Sequence, residues 1–318
     1  MSKTTKNRAV GLVRAETYDP KLICQWADEL FSAVGFSPSR GDLVVLKPNL
    51  VAPSMLNDLA CTHPQFVEGV ARWFVDHGCR VRVGDSPASG SCANAMEKLG
   101  LDMVVQKLGL EIAPFQQTVS IPLNCGVTVP VCRDALECDH LVNLPKVKSH
   151  ALVRVTLAVK NHFGMVKGWR KAMAHQVHGG GCAITFIDML CDLPGVVPQS
   201  ISLCDGITAM HVTGPMGGKP YDLHLMGCCP SPVALDTALL AALGVTPESS
   251  PIQSRFVQRG EVGSTLADVC FPLCTPDDFD HQGFIVPSQL GSIRFDLGHV
   301  LQSVLKRLQL WLRGVLRS

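Results

Sequence analysis

Residues 42–49 read DLVVLKPN, a short apolar run that ends at a lysine, a proline and an asparagine. An apolar run of this length, bounded by turn residues, is typical of a strand buried on both faces of a parallel sheet. Residues 63–77 follow with apolar side chains at helical spacing, with Thr62 as the predicted N-cap and Pro64 in the first turn. Residues 80–85, RVRVGD, alternate as a second strand does. Strand, helix and strand in this order predict a parallel α/β unit.

The same pattern returns further along the chain. Residues 140–144 and 201–204 are short apolar runs typical of buried strands, and residues 153–163 and 233–243 have helical spacing. The stretch from 111 to 131 has β character and many turn residues, which predicts a hairpin insertion. We therefore predict an α/β fold with a mainly parallel sheet flanked by helices, irregular insertions and a C-terminal amphipathic helix.

Composition limits the classes of function. The chain has 318 residues, of which 47% are hydrophobic and 17% charged, with a net charge of +1. This excludes a disordered chain and gives no global electrostatic basis for nucleic-acid binding. Residues 1–8 lead into no apolar signal core, and no apolar window is long enough to span a membrane. We expect a cytoplasmic protein whose 14 cysteines are reduced thiols and mostly small core residues.

Changes in composition along the chain predict three regions. Residues 1–40 form an N-terminal extension with a first helix, and residues 41–245 form the α/β core. Residues 246–318 contain a Pro- and Gly-rich region followed by a basic amphipathic helix at 297–316. We expect this helix to pack on the core, with binding to a membrane surface as the alternative.

Polar side chains follow four of the predicted strands. They are Lys47 and Asn49, then Asp85, then Asn143, Lys146, Lys148 and His150, and finally Asp205. Ligands of open α/β sheets bind outside the carboxyl ends of the strands, so these residues predict one shared site at that edge. The alternative is that strand ends are polar only because loops begin there.

A long stretch without acidic residues strengthens the prediction of one shared site. Between Leu141 and Ala172 the chain has five lysines and no Asp or Glu. Lys146, Lys148 and Lys160 lie beside apolar residues that we expect to be buried. Such lysines require an acid from elsewhere in the fold or an anionic ligand such as a phosphate or carboxylate.

These residue types suggest an enzyme that acts on a phosphorylated or carboxylated small molecule or cofactor. The anion is predicted to be held by Lys47, Lys146, Lys148 and Lys160. It is predicted to be oriented by Asn49, Asn143 and Asn161. Proton transfer is assigned to Asp85, His150 and Asp205. A divalent metal held by His63, His150 and Asp205 is a further hypothesis, because imidazole and carboxylate suit several such ions. Neighbouring lysines lower one another's pKa, which makes one of them a candidate base or Schiff-base former.

Several short motifs resemble one known family. They are Lys47-Pro48-Asn49, Thr62-His63-Pro64, Gly84-Asp85-Ser86, residues 143–150 (NLPKVKSH), Lys160-Asn161 with Gly164, and Asp205-Gly206-Ile207 with Gly214-Pro215. In this order and spacing they resemble the domain-of-unknown-function family numbered 362 (DUF362). The resemblance implies an association with ferredoxin-like modules that hold two four-iron clusters, and it implies no assigned chemistry.

The cysteines of this chain do not have the spacing that a ferredoxin-like module requires. A ferredoxin segment needs repeated Cys-x-x-Cys spacing, which none of the cysteines at 125, 132, 138, 228, 229, 270 and 274 provides. We therefore expect no four-iron cluster bound by this chain alone. The second functional hypothesis is an iron–sulfur-associated redox accessory or cofactor-maturation protein without its own cluster, which works with a ferredoxin-like or other redox partner.

Overall fold

The computed structural model of the chain describes residues 8–51, 55, 58–87, 90–167, 182–197 and 199–290. Its strands are β1 (Gly11–Arg14), β2 (Leu43–Pro48), β3 (Arg80–Val83), β4 (Glu111–Ile112), β5 (Thr118–Pro122), β6 (Thr128–Cys132), β7 (His140–Leu144), β8 (Lys146–His150), β9 (Arg154–Thr156), β10 (Ser200–His211) and β11 (Lys219–Cys229). The predicted helix at 297–316, and with it the end of the third predicted region, lies outside the described residues.

Nine α-helices occur in the described part of the chain. They are α1 (Pro20–Val34), α2 (Pro64–Asp76), α3 (Cys92–Leu99), α4 (Leu101–Leu108), α5 (Arg133–Leu136), α6 (Ala158–Asn161), α7 (Cys182–Asp192), α8 (Pro232–Ala242) and α9 (Pro251–Gln258). Short 3₁₀ turns cover His162–Met165, Leu193–Val196, Pro247–Ser249, Leu266–Asp268 and Pro276–Asp278.

The main sheet has the strand order β1-β11-β10-β7-β2-β3-β4. The strands from β10 through β7, β2 and β3 to β4 run parallel, whereas β11 is antiparallel to both of its neighbours. Strand β8 pairs in parallel with the outer part of β10 and antiparallel with β9. The predicted α/β fold with a mainly parallel sheet is confirmed.

Period-two alternation places the core on both faces of the sheet. Val44 and Leu46 pack with the helices α1 and α2, while Val45 between them packs with α7 on the opposite face. Both faces of β2 are therefore buried, as its continuous apolar run predicts. Seven of the described cysteines are also buried, which agrees with their predicted role as small core residues.

Three local differences from the predicted elements bear on the site. The N-terminal region contributes β1, which pairs with β11 as an edge strand of the main sheet. The segment after Pro145 is not a loop but the strand β8. The helix predicted at 153–163 is shortened to α6, because β9 occupies its first residues. The hairpin predicted within 111–131 is present as β5 and β6.

Candidate functional site

Strand register brings the predicted residues to one edge of the sheet. Lys47 on β2 is the partner of Asn143 on β7, and Asp205 on β10 is the partner of Lys146 on β8. On β8, Lys146, Lys148 and His150 are two residues apart and therefore share one face of the strand. We call Lys47, Lys146, Lys148 and Lys160, with Asp85 and Asp205, the lysine cluster.

Lys47 forms a buried ion pair with Asp85. Its Nζ lies 2.8 Å from Asp85 Oδ1, and both side chains are buried. The other carboxylate oxygen accepts the backbone N–H of Leu50 at 2.9 Å. A Cβ on Gly164 would lie 2.2 Å from Asp85 Oδ1 and 2.5 Å from Lys47 Nζ. The turn at Gly164 therefore covers the ion pair at a distance that only a glycine permits.

Lys146 forms the second buried ion pair, with Asp205. Its Nζ donates to Asp205 Oδ2 at 2.9 Å and to the hydroxyl of Tyr18 at 2.9 Å, and that hydroxyl donates to Asp205 Oδ1 at 2.8 Å. Burial opposes the charge of Lys146, but Asp205 and Tyr18 outweigh burial and raise the pKa of Lys146. Burial and the Asp205 carboxylate raise the pKa of Tyr18 to about 12. Lys146, Asp205 and Tyr18 therefore form a trio that is held together by an ion pair and hydrogen bonds.

His63 contacts this trio through its backbone N–H and its ring. Its backbone N–H donates to Asp205 Oδ2 at 3.0 Å, and its ring stacks on Tyr18 with centroids 3.8 Å apart. Its Nδ1 accepts the N–H of Gln65 at 3.3 Å, which caps α2. Burial is the main cause that lowers the pKa of His63 to about 4. His63 therefore fixes the start of α2 against the Lys146 ion pair.

Lys148 is buried and makes no ion pair within the described residues. Its Nζ donates to the backbone carbonyl of Ala60 at 2.7 Å. Burial, with repulsion from Lys160 and Lys146, lowers the pKa of Lys148 to about 7, although Cys61 and Asp58 act in the opposite direction. Its positive charge is therefore only partly compensated.

Lys160 differs from the other three lysines in its exposure. It is half-buried at the last turn of α6, and its Nζ lies 4.7 Å from the centroid of the Phe163 ring. Its ammonium group has no hydrogen-bond or ion-pair partner in the described part of the chain. Burial and repulsion from Lys47 lower the pKa of Lys160 to about 8, and Asp85 acts in the opposite direction.

His150 is buried at the end of β8. Its Nδ1 accepts the N–H of Leu152 at 3.0 Å, so the neutral ring carries its proton on Nε2. Burial and the charges of Lys160 and Lys148 lower the pKa of His150 to about 3. At neutral pH the ring is therefore a hydrogen-bond donor without charge.

The predicted amide residues divide into two groups. Asn143 donates to Ser202 Oγ and to the carbonyl of Ala158, both at 3.0 Å, and accepts from Asn161 Nδ2 at 2.8 Å. Asn143 and Asn161 thus connect β7, β10 and α6 beneath the lysines. Asn49 is buried, and its carboxamide makes no hydrogen bond within the described residues.

His162 carries a buried nitrogen without a partner. Its Nδ1 donates to the carbonyl of Ala158 at 2.9 Å, which leaves the lone pair on Nε2. That Nε2 is buried and unsatisfied within the described residues. Burial is the main cause that lowers the pKa of His162 to about 4, with a further contribution from Lys47.

Sequence reasoning missed two residues of this region. Tyr18 lies between β1 and α1, far along the chain from the lysines that it contacts. Asp236 lies within α8 and accepts the N–H groups of Ala158 and Val159 at 2.7 and 3.2 Å, which caps α6. Burial raises the pKa of Asp236 to about 8. An isolated aspartate in the apolar run of α8 was the only signal for it, and Tyr18 had none.

The metal hypothesis finds no support in the geometry. In the part of the chain that the structure describes, no three His, Cys, Asp or Glu side chains are grouped as a metal site. His63, His150 and Asp205 are therefore not gathered around one position, and Lys146 and Lys148 lie beside them. Ammonium groups at this edge repel a cation, so the site favours an anion.

The fold and these contacts define an α/β protein with buried lysines, carboxylates and amides at the carboxyl edge of its sheet. The family described as Domain of unknown function (DUF362) matches residues 44–241. Thylakoid-associated protein sll1697 of Synechocystis sp. is 31% identical over 306 residues, which are 94% of each chain. The chain belongs to the DUF362 family, as its motifs predict.

Two solved structures are distantly similar. One is the lactate racemase apoprotein from Thermoanaerobacterium thermosaccharolyticum, with a TM-score of 0.40 and 11% identity over 64% of this chain and 52% of that chain. The other is a protein from Thermotoga maritima, with a TM-score of 0.39 and 11% identity over 63% of this chain and 53% of that chain. The chain thus spans about half the length of these proteins.

None of the described helices has both the length and the apolar character that crossing a membrane requires.

Proposed function

We propose that this protein is an enzyme that binds a phosphorylated or carboxylated small molecule beside Lys148 and Lys160. One observation carries the proposal. Of the four lysines in the cluster, Lys47 and Lys146 have carboxylate partners, whereas Lys148 and Lys160 have none within the described residues. The cluster therefore has two more cationic side chains than carboxylates.

Electrostatics explains why a ligand fits this excess. A buried cation without a counterion is unfavourable, and both lysines respond with a lowered pKa. An anion beside these two lysines stabilises a charged ammonium group and offsets the cost of burial, most strongly for the lysine that it contacts directly. A phosphate, or a molecule with two carboxylates, carries the negative charge that would balance the two lysines without carboxylate partners.

The other predicted residues then take different roles. Asn49 and the Nε2–H of His150 are free to orient the ligand by hydrogen bonds. Asp85 and Asp205 are engaged by two and three donors respectively, which favours a role in holding Lys47 and Lys146. Proton transfer by His150 or by either aspartate stays a prediction.

Ligand protection against thermal unfolding tests the proposal. Inorganic phosphate and citrate should raise the melting temperature of the wild-type protein. Lys148→Ala and Lys160→Ala should each weaken the apparent affinity about tenfold or more, because each removes a charge-assisted contact. Lys98→Ala, which removes an exposed lysine of α3, is the matched control and should keep wild-type protection. If both cluster variants also keep it, the proposed anion site is wrong.

The redox-accessory hypothesis remains the alternative function. Family membership motivated it, and no contact among the described residues favours it. Visible absorbance of protein purified without oxygen distinguishes the two functions. An iron–sulfur band, from a cluster received from a partner, would favour the redox role, and a colourless protein that binds phosphate would favour the enzyme.

A further inference from the structure

We propose that Lys160 is a nucleophile that forms an imine with the carbonyl carbon of a substrate that also carries a carboxylate or phosphate. This inference rests on the proposed anion site and assigns the substrate class: anionic aldehydes and ketones, such as 2-oxo acids. Lys160 differs from the three other lysines of the cluster in its exposure and in the partners of its ammonium group.

Position makes Lys160 the accessible amine of the cluster. The Nζ atoms of Lys47 and Lys146 are held by carboxylates, and that of Lys148 by the carbonyl of Ala60. All three side chains are buried, whereas Lys160 is half-buried, and its Nζ has the Phe163 ring nearby but no hydrogen bond or ion pair among the described residues. Lys160 can therefore approach a bound carbonyl without breaking a hydrogen bond to any described residue.

The fold also fixes where Lys160 stands. Lys148 on β8 is the cross-strand partner of Thr156 on β9, and α6 begins two residues later. Asp236 caps the first turn of α6, and Asn161 beside Lys160 is tied to Asn143. The main chain that carries Lys160 is thus anchored on two sides, while its ammonium group makes no hydrogen bond within the described part of the chain.

Charge supports the same assignment. An amine attacks a carbonyl only in its neutral form, and a neighbouring cation favours that form. Burial and Lys47 together lower the pKa of Lys160 to about 8, so a substantial fraction is neutral near physiological pH. Lys148 can meanwhile hold the anionic group of the substrate, which places the carbonyl carbon toward Lys160.

His150 supplies a donor for the carbonyl oxygen. Its Nδ1 is occupied by Leu152, its Nε2–H has no partner among the described residues, and the charge of Lys160 acts on it. A neutral imidazole N–H can polarise the carbonyl toward attack.

The step conserves atoms and electrons. The nitrogen lone pair of Lys160 forms a C–N bond while the carbonyl π pair moves onto oxygen. The two protons of the neutral amine end on that oxygen, which leaves as water when the C=N bond forms. No oxidant, reductant or further reactant is needed.

Reductive trapping tests the inference. The full chain is incubated with pyruvate and sodium cyanoborohydride, and the adduct is located by peptide mass mapping. We expect one adduct, on Lys160, whose formation inorganic phosphate suppresses. Acetone lacks the carboxylate and should react at least about tenfold more slowly. Lys160→Arg and Lys160→Gln should abolish the adduct, and Lys98→Arg should not.

The outcomes separate this inference from the anion site. If phosphate protects the wild-type protein in a Lys148-dependent manner but pyruvate gives no adduct on Lys160, the imine is wrong and the anion site stands. Adducts spread evenly over surface lysines, or equal rates with acetone, would also overturn the imine. If neither protection nor an adduct occurs, both proposals fail.

Discussion

The two halves of the lysine cluster use the same side chain in opposite ways. In the paired half, Lys47 and Lys146 are each closed off by a buried aspartate. In the unpaired half, Lys148 and Lys160 face a backbone carbonyl and an aromatic ring. The pKa of Lys146 is raised, and those of Lys148 and Lys160 are lowered.

The same contrast, between a lysine with a carboxylate partner and one without, exists within a single strand for Lys146 and Lys148. They lie two residues apart on the same face of β8, so local sequence does not distinguish them. What differs is the element opposite each of them: Asp205 and Tyr18 meet Lys146, and the carbonyl of Ala60 meets Lys148. A counterion from the fold makes a buried lysine structural, and its absence leaves the lysine for a ligand.

The largest effect should come from breaking the paired half. Asp205→Ala leaves Lys146 as a buried cation without a counterion, and we expect a loss of about 3–5 kcal/mol in the free energy of unfolding. Urea denaturation measures it. Asp222→Ala, which removes an exposed carboxylate from β11, is the control and should change stability by less than about 0.5 kcal/mol. Equal effects of the two substitutions would show that the ion pair is not structural.

A smaller effect should follow from crowding the Lys47–Asp85 pair. Gly164→Ala places a Cβ against Asp85 Oδ1 and Lys47 Nζ, so the covering turn must shift. We expect a loss of about 1–3 kcal/mol, as for other overpacked sites. Gly195→Ala is the matched control, because a Cβ there has open space. A Gly164→Ala protein as stable as the Gly195→Ala protein would contradict the described cover.

The sharpest contrast is between two methionine substitutions on β8. Lys148→Met removes a cation without a counterion, so stability should change by less than about 1 kcal/mol while phosphate protection is lost. Lys146→Met leaves Asp205 without its lysine and should destabilise the protein severalfold more. Thermal melting with and without phosphate checks both properties. If Lys148→Met is the more damaging of the two, the division into halves is wrong.

The last prediction concerns the pH dependence of stability that arises from the carboxyl group anchoring Lys160. Burial raises the pKa of Asp236 from 3.8 to about 8, so the folded state binds more protons than the unfolded state between these values. Its contribution to stability is therefore complete below pH 4 and is lost as the pH rises toward 8. Asp236→Asn cannot ionise and should show a flatter dependence of melting temperature on pH between 4 and 8. Parallel curves for the two proteins would contradict the raised pKa.

The sequence predicted much of the fold because its signals are local. The buried run at 43–46 and the helix that follows it are each decided by their own residues. The predicted N-cap was wrong by one residue: His63 caps the helix, because the hydroxyl of Thr62 donates to the carbonyl of Leu144 instead. The helix predicted at 153–163 was wrong in its first part, because pairing with β8 outweighed helical spacing at residues 154–156. The strand β1 was missed because four residues carry too little pattern, and its pairing with β11 decides it.

The candidate site was predicted by residue type and not by role. The acid-free stretch indicated lysines in need of partners, but it did not indicate which two would find them. Asn143 and Asn161 were expected to bind a ligand, and in the structure their amides hydrogen-bond to each other and to the fold. Side-chain amides can do either, and only their neighbours decide.

The sequence by itself determined the family, the parallel α/β architecture and the set of polar residues at the sheet edge. Tertiary structure alone decided how that set is divided. It brings Tyr18 from the N-terminal region and Asp205 from β10 to Lys146, while Lys148 and Lys160 receive no carboxylate within the described residues. The physical reason is that a charge's environment depends on distances across the fold, which no local pattern of residues encodes.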